Sequence, residues 1–508
     1  MLWLAVHLPR LSLEAFEAGL PDALRAQPVA LLDGPRVAAA NAAACACGIR
    51  AGLKRATALA LAPGLRFGQA SPARDAQALA AVAHAALAFT PAVTLDAGDA
   101  VVLLEVHASL RLFGGLPRLL QRLRDALAPL GHRVQVAAAP TAHGAALLAR
   151  WRDDLAQGPH SGDLGALAAR LDAVPAALLG AAREHREALQ GMGLATLADL
   201  RVLPRAGLAR RFGDALLDEL DRAYGRRPDP REWVTLPPEF DARLELAARA
   251  DTAEQVLHAA GVLLARLVAW AQARHARVAG FVLQMRHEPR HRDGGQPPHT
   301  ALEIALAAPS ADAAHLGALL REHLGRTTLA APTLELRLQC RHLVHGAPPS
   351  GELFPTRAGE AEGLTRLLER LRARLGDAQV QRLDAVADHR PERATRARAA
   401  TGVAEGRPLP APSAAPAARP LSRPAWLCAE PVPLPERGGR PWLDGVPLQL
   451  LAGPERIEAG WWDGALAARD YFVAQAGDGV LVWIYRARLP LAGATDGEGG
   501  WWLHGRFG

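Results

Sequence analysis

Short, nearly continuous apolar runs open the chain and recur through its first third. Residues 2–7 (LWLAVH) read as a short buried strand, and 28–33 (PVALLD) and 101–108 (VVLLEVHA) read as two more. Between them, 73–87 (ARDAQALAAVAHAAL) spaces its apolar residues for a helix. Residues 116–130 (LPRLLQRLRDALAPL) do the same before a strand in HRVQVAAAP. Strands and helices therefore mix in an α+β pattern to about residue 165. A chain of 508 residues is too long for one hydrophobic core, so the expected class is α+β and multidomain.

Beyond residue 165 the pattern changes twice. From 165 to about 225 the elements read as short helices punctuated by Gly and Pro. A long helix over 252–274 then precedes strands at 277–287 and 300–307, a helix at 311–324 and a strand at 333–342. That last strand alternates, with Leu334, Leu336, Leu338 and Cys340 on one face and Glu335, Arg337, Gln339 and Arg341 on the other. One more helix is expected over 360–375. The stretch GRPLPAPSAAPAARPLSRP within 400–440 cannot build a core and reads as a linker. Order signals return in the last 60-odd residues, which hold Trp461, Trp462, Trp483, Trp501 and Trp502.

Composition excludes some classes. Half the residues are apolar, as in folded proteins. No uninterrupted apolar run reaches membrane-spanning length, and the start, with Arg10 and Glu14 early, does not read as a signal peptide. Cys45, Cys47, Cys340 and Cys428 lack metal-finger spacing and fit a reducing cytoplasm. The net charge of +6 is carried almost wholly by arginine, Lys54 being the only lysine. Arginine permits a nucleic-acid partner, although a high-GC genome produces the same bias.

One segment carries a nucleic-acid signal by itself. LQGMGLATLADLRVLPRAGLARR (189–211) has the pattern of a helix-hairpin-helix. There Gly191 and Gly193, with Thr196 behind them, would let backbone amides approach a phosphate. Arg205, Arg210 and Arg211 could add sequence-independent phosphate contacts. The same letters also serve as an ordinary interhelical turn.

Several stretches resemble the Y-family, or lesion-bypass, DNA polymerases: LAVHLPRLSLEAF, QPVALLDGPRVAAANAAACACGIRAGL and DAVVLLEVHASLRLFGG. The likeness sharpens to the ImuB subfamily through LEVHASLRLFGG, LARRFG, DPREW with PPEF, DHRPERA, GPERIEAGWWDG, RDYFVA, VWIYRARL and the terminal WWLHGRFG. The resemblance implies a right-hand architecture: palm and fingers over 1–165, a helix-hairpin-helix thumb over 166–235 and a little finger over 236–345. A clamp-binding loop and helix over 346–399, the linker over 400–440 and a Trp-rich interaction region over 441–508 would follow.

It also supplies a chemical comparison. Active Y-family enzymes hold two magnesium ions with an aspartate after the first strand and an Asp-Glu pair on a later palm strand. By alignment those positions carry His7, Ala100 and Val101 here, and a second aspartate slot carries Pro9. An imidazole, a methyl and an isopropyl group cannot form an oxygen cage for magnesium. Asp99 lies one residue away from the pair and Glu105 further along the strand. A one-residue shift sends a side chain to the other face, and Asp96, Asp99 and Glu105 read as strand-end acids. Ala42 and Cys45 stand where the polymerases have a triphosphate-binding Tyr and Arg, and Ser12 where a bulky residue excludes ribonucleotides.

The resemblance thus implies no enzyme activity, no cofactor and no metal. It implies a scaffold in SOS-induced, error-prone translesion synthesis, cytoplasmic and nucleoid-associated. DNA would be gripped by the thumb residues above and by Arg337 and Arg341. Leu353 and Phe354, in PPSGELFPTR, resemble a sliding-clamp peptide with Ser350 in place of its glutamine. Further partners are an error-prone C-family polymerase (ImuC) and a RecA-like accessory protein (ImuA), with Trp461, Trp462, Trp501 and Trp502 as partner-binding candidates or simply core. The competing readings are an active polymerase with an unconventional metal site and a protein adaptor without DNA binding.

Overall fold

A computed structural model describes residues 1–289, 297–346, 357–400, 423–488 and 500–507, and of 357–362 the backbone helix alone. The candidate clamp residues Leu353 and Phe354 and most of the expected linker lie outside the described residues. The chain divides into two compact units, Met1–Arg374 and Leu375–Gly508.

The first unit begins with β1 (Trp3–His7), α1 (Leu11–Glu17), α2 (Asp22–Arg25), β2 (Val29–Asp33), β3 (Arg36–Ala40), α3 (Ala42–Ala46), α4 (Arg55–Leu61) and β4 (Arg66–Gln69). It continues with α5 (Pro72–Ala86), β5 (Val93–Asp96), β6 (Val101–Glu105), α6 (Leu110–Phe113), α7 (Leu116–Leu127), β7 (Gln135–Ala139) and α8 (Ala142–Trp151). An antiparallel sheet in the order β5-β6-β1-β7 lies in the region expected to be the palm, and is called the palm sheet below. Its alternating side chains divide between two cores. Leu4, Val6, Val102, Leu104 and Val136 meet α5 and α7 on one face. Trp3, Ala5, Val101, Leu103 and Ala137 meet α8 and the following helices on the other. Burial on both faces explains why these strands are nearly unbroken apolar runs rather than alternating ones. A smaller sheet, β3-β2-β4, packs with α3 and α4 around Leu32, Val37, Ala44, Ile49 and Ala58.

Five short helices follow: α9 (Leu164–Leu171), α10 (Arg186–Gly191), α11 (Leu197–Val202), α12 (Arg205–Phe212) and α13 (Asp214–Ala223). Their leucines join the α8 side of the palm core. Next come β8 (Phe240–Ala250), α14 (Ala253–Ala273), β9 (Ala276–His287), β10 (His299–Ser310), α15 (Ala313–Gly325), β11 (Thr333–His345) and α16 (Arg357–Leu375). The sheet order is β10-β9-β11-β8, all antiparallel, with the α14 and α15 leucines beneath one face. At 21 residues α14, the long helix expected over 252–274, is by length and composition apolar enough to cross a bilayer. It is a core helix: Leu263, Leu264 and Leu267 bury into the little-finger core, and Ala265 and Ala269 into the palm core.

The second unit holds a hairpin, β12 (Gln381–Ala385) with β13 (Thr395–Ala399), then β14 (Trp426–Leu434), β15 (Glu436–Arg437), β16 (Arg440–Leu443) and β17 (Val446–Pro447). It ends with β18 (Gln449–Ala459), β19 (Ala467–Gln475), β20 (Leu481–Ala487) and β21 (Trp501–Arg506), in a sheet ordered β14-β21-β20-β19-β18. Within 426–440, expected to be linker, lie β14, β15 and the start of β16, and residues 381–399, expected to belong with the clamp-binding loop and helix, hold the β12–β13 hairpin of this unit.

Candidate functional site

Strand register brings the sequence candidates to one end of the palm sheet. His7 on β1 pairs with Val101 on β6 and Gln135 on β7, and Val101 pairs with Asp96 on β5. Residues directly opposite in an antiparallel ladder share a face, so the row reads Asp96, Val101, His7, Gln135. The imidazole Nδ1 of His7 lies 3.1 Å from Oε1 of Gln135. Burial lowers the His7 pKa, with Arg150 adding to that and the Gln135 hydrogen bond opposing it, so the ring is neutral at neutral pH. Val101 is fully buried. Two strand spacings, about 10 Å, separate Asp96 from His7, with Val101 between them.

The turn before β6 decides what Asp99 does. A 3-10 turn over Ala97–Asp99 is followed by Ala100 in the left-handed region (φ 51°, ψ 47°), whose carbonyl accepts from the Leu8 N–H at 3.0 Å. A non-glycine residue there costs about 1 kcal/mol. Asp99 is held by two guanidinium groups: Arg150 Nη1 donates to Oδ2 at 2.6 Å, and Arg183 pairs with Oδ1. The Arg150 and Asp99 side chains are 9% and 14% exposed, so this is a buried ion pair. Glu105 sits at the far end of β6 and accepts from the Leu2 and His107 amides at 3.1 and 3.3 Å. It points to no site shared with His7.

His7, Asp99, Ala100 and Arg150 border a cleft of about 630 Å³. His7, Pro9, Arg10 and Ser12 line it from β1 and α1, Cys45 and Arg50 from the smaller sheet's subdomain, and Asp99, Ala100 and Arg150 from the palm. Ala42 stands exposed on α3, outside that lining. Asp75 and Asp99 are its carboxylates, against the guanidinium groups of Arg10, Arg50 and Arg150. Among the described residues no three His, Cys, Asp or Glu side chains converge as a metal-holding group. Arg150, Arg183 and Gln135 were not legible beforehand: no local motif marks a partner 51 or 84 residues away from Asp99.

The hairpin at Gly191–Thr196 has the expected shape. Gly193 takes φ +72° between α10 and α11. Thr196 caps α11 in a capping box with Asp199, whose Oδ2 accepts from the Ala195 and Thr196 amides at 3.0 and 2.8 Å. The amides of Met192, Gly193 and Leu194 donate to α10 carbonyls. Arg205 makes a two-pronged pair with Asp221 (3.0 and 2.6 Å), while Arg210 and Arg211 are exposed. On the open face of the little-finger sheet, Arg337 Nε donates to Asp241 at 2.8 Å and Arg341 Nε to Glu239 at 3.1 Å. The hydrogen bond to Arg337 holds the Asp241 carboxyl below its ordinary range.

In the C-terminal unit the tryptophans separate into two groups. Trp483 and Trp501 are core, and Trp502 is half-buried against Tyr485. Of the two expectations for Trp501, partner contact and core, its burial gives core. Trp461 (77% exposed) and Trp462 (53%) meet edge to face on the surface. Beneath Trp462 lies Arg390, which binds Asp388 and Asp463 through paired hydrogen bonds of 2.6–3.2 Å and draws the Asp463 pKa down to about 2.

Comparison with known proteins places this arrangement. Residues 13–150 match the family described as IMS, impB/mucB/samB. Protein ImuB of Caulobacter vibrioides, in strains NA1000 / CB15N and ATCC 19089 / CIP 103742 / CB 15, is 32% identical over 494 residues. The match covers 91% of this chain and all of the relative. The chain belongs to the ImuB family. Its fold is α+β and multidomain, with a C-terminal unit over Leu375–Gly508. Among solved structures, DinB from Sulfolobus solfataricus (17% identity) and a Dbh ternary complex (16%) each align over 68% of this chain and the whole of theirs, both at TM-score 0.36.

Proposed function

We propose that this chain is a non-catalytic scaffold of error-prone translesion synthesis: it occupies DNA and recruits other proteins while another enzyme performs the chemistry. The observation that carries the reading is the state of Asp99. The carboxylate nearest the lost metal positions is committed to Arg150 and Arg183, and its neighbours are a neutral imidazole, a methyl and an isopropyl group. A magnesium ion needs several hard oxygen ligands at about 2.1 Å, and would have to displace two guanidinium groups to obtain one.

In this reading DNA is held through its backbone by Gly191, Gly193, Thr196, Arg205, Arg210, Arg211, Arg337 and Arg341, without sequence readout. Leu353 and Phe354 dock in the sliding clamp, which raises local concentration at a stalled primer end. The exposed pair Trp461 and Trp462 anchors a protein partner, with ImuC and ImuA as the candidates that family membership suggests, in an SOS-induced response in the cytoplasm. Binding to a primer-template should fall steeply with salt, and Leu353→Ala with Phe354→Ala should abolish clamp binding.

A second reading, an adaptor without DNA binding, is favoured by the charge pairing. Arg205, Arg337 and Arg341 each already have a carboxylate partner, and the hairpin amides are satisfied internally. Of the expected arginines, Arg210 and Arg211 are then the ones most open to phosphate. If Arg210→Ala with Arg211→Ala leaves DNA affinity and its salt slope unchanged, the hairpin has no part in binding. If the parent chain shows no salt-sensitive binding, the adaptor reading holds.

A further inference from the structure

Helix α16 is docked the opposite way from an ordinary amphipathic helix. Its inward face is polar or small. Glu369 is 7% exposed overall and accepts from His315 Nε2 at 2.9 Å, from the Ala308 amide at 3.2 Å and from the Ala307 amide. Ala373 is buried in the little-finger core, and its carbonyl accepts from Arg326 at 3.2 Å. The outward face carries Leu364 (46% exposed), Leu367 (51%) and Leu371 (36%), and the helix ends at Leu375 (52%). Their three- and four-residue spacing puts them in one stripe. Rolling the helix to bury the leucines would strand Glu369, His315 and two amides without partners, which is prohibitive in a buried setting. The leucine stripe is therefore held outward by the bonds behind it.

The residues at its edges indicate what covers it. At 100° per residue, the exposed Arg370 and Arg374 flank the stripe on one side. A second copy of the helix would bring these like charges together. The segment 401–422 carries Arg407 and Arg419 against Glu405, so its charge does not complement these arginines. We infer that α16 is a docking helix for an acidic amphipathic helix of a partner protein, with leucine-type anchors on the stripe and carboxylates beside the arginines.

Fluorescence anisotropy on the full chain tests this with two labelled helical probe peptides. Both carry Leu at the a and d heptad positions, and they differ in having Glu or Lys at e and g. The Glu probe should bind about tenfold or more tighter than the Lys probe, the summed effect of several modest ion pairs. Leu367→Asp with Leu371→Asp should abolish binding, and Arg370→Glu with Arg374→Glu should invert the preference. All four side chains lie on the outward face, and an unchanged melting temperature would verify folding. Equal affinity for the two probes, or no binding of either, overturns the inference. So does a dimer of the chain that dissociates in the leucine variant, or leucine-dependent binding to vesicles of anionic phospholipid without binding of the Glu probe.

Discussion

Removing the Asp99 carboxylate distinguishes a structural acid from a metal ligand. The Arg150 side chain is 9% exposed and Asp99 14%, so Asp99→Ala leaves a cation stranded in a largely dry site. Breaking a fully buried pair costs about 3–5 kcal/mol. Two features reduce that here: Arg183 is 46% exposed and can return to water, and Asp96 and Glu219 also act on Arg150. The expected loss is about 2–3 kcal/mol, or roughly 4–6 °C in melting temperature at about 2 °C per kcal/mol for a large domain. Differential scanning calorimetry or fluorimetry reads this directly. The double variant Asp99→Leu with Arg150→Met should recover most of the loss, since replacing both partners by apolar groups is often near neutral. Magnesium at millimolar concentration should leave the parent melting temperature unchanged. If magnesium stabilises the parent but not Asp99→Ala, or if Asp99→Ala costs nothing, the assignment of Asp99 to its arginine partners is wrong.

Two further outcomes follow from buried charge. Burial pushes the His143 pKa down to about 4, so the folded chain keeps the ring neutral while the unfolded chain protonates it near 6.5. This ring should therefore contribute a loss of about 1–3 kcal/mol of stability as pH drops from 6.5 towards 4, and His143→Gln should make the slope over that interval shallower in urea unfolding at a series of pH values, an unchanged slope refuting the assignment. In the C-terminal unit, Arg390→Ala breaks the paired bonds to Asp388 and Asp463 and frees the loop bearing Trp461 and Trp462. Tryptophan fluorescence should redden and proteolysis within 460–466 should accelerate, whereas an unchanged digestion pattern would show that Arg390 does not hold the loop.

Local pattern made most of the framework readable. The palm strands are apolar on both faces and short, α14 has a capping residue at Thr252 and an apolar span, and β11 alternates with period two. These are properties of neighbouring residues. What stayed hidden depends on partners far along the chain. Asp241 neutralises Arg337 from 96 residues away, and Arg150 and Arg183 claim Asp99 across 51 and 84. The tryptophans show the same limit: Trp501 and Trp461 are alike in sequence, and their burial follows from a strand in the sheet and a loop outside it. The strand Trp426–Leu434 is hard to tell from a linker in the sequence, because Pro431 and Pro433 suit both an edge strand and an extended tether. The residues His7, Ala100 and Val101 carry no carboxylate in the sequence itself, and the fold then sets His7 opposite the buried Val101 while His7 and Ala100 line one cleft.

Primer extension by the purified chain with magnesium or manganese tests the central claim most directly. The account predicts no nucleotide incorporation above a no-protein control, with or without lesions in the template. Incorporation that disappears in Asp99→Ala would contradict it, because Asp99 would then be acting as a metal ligand.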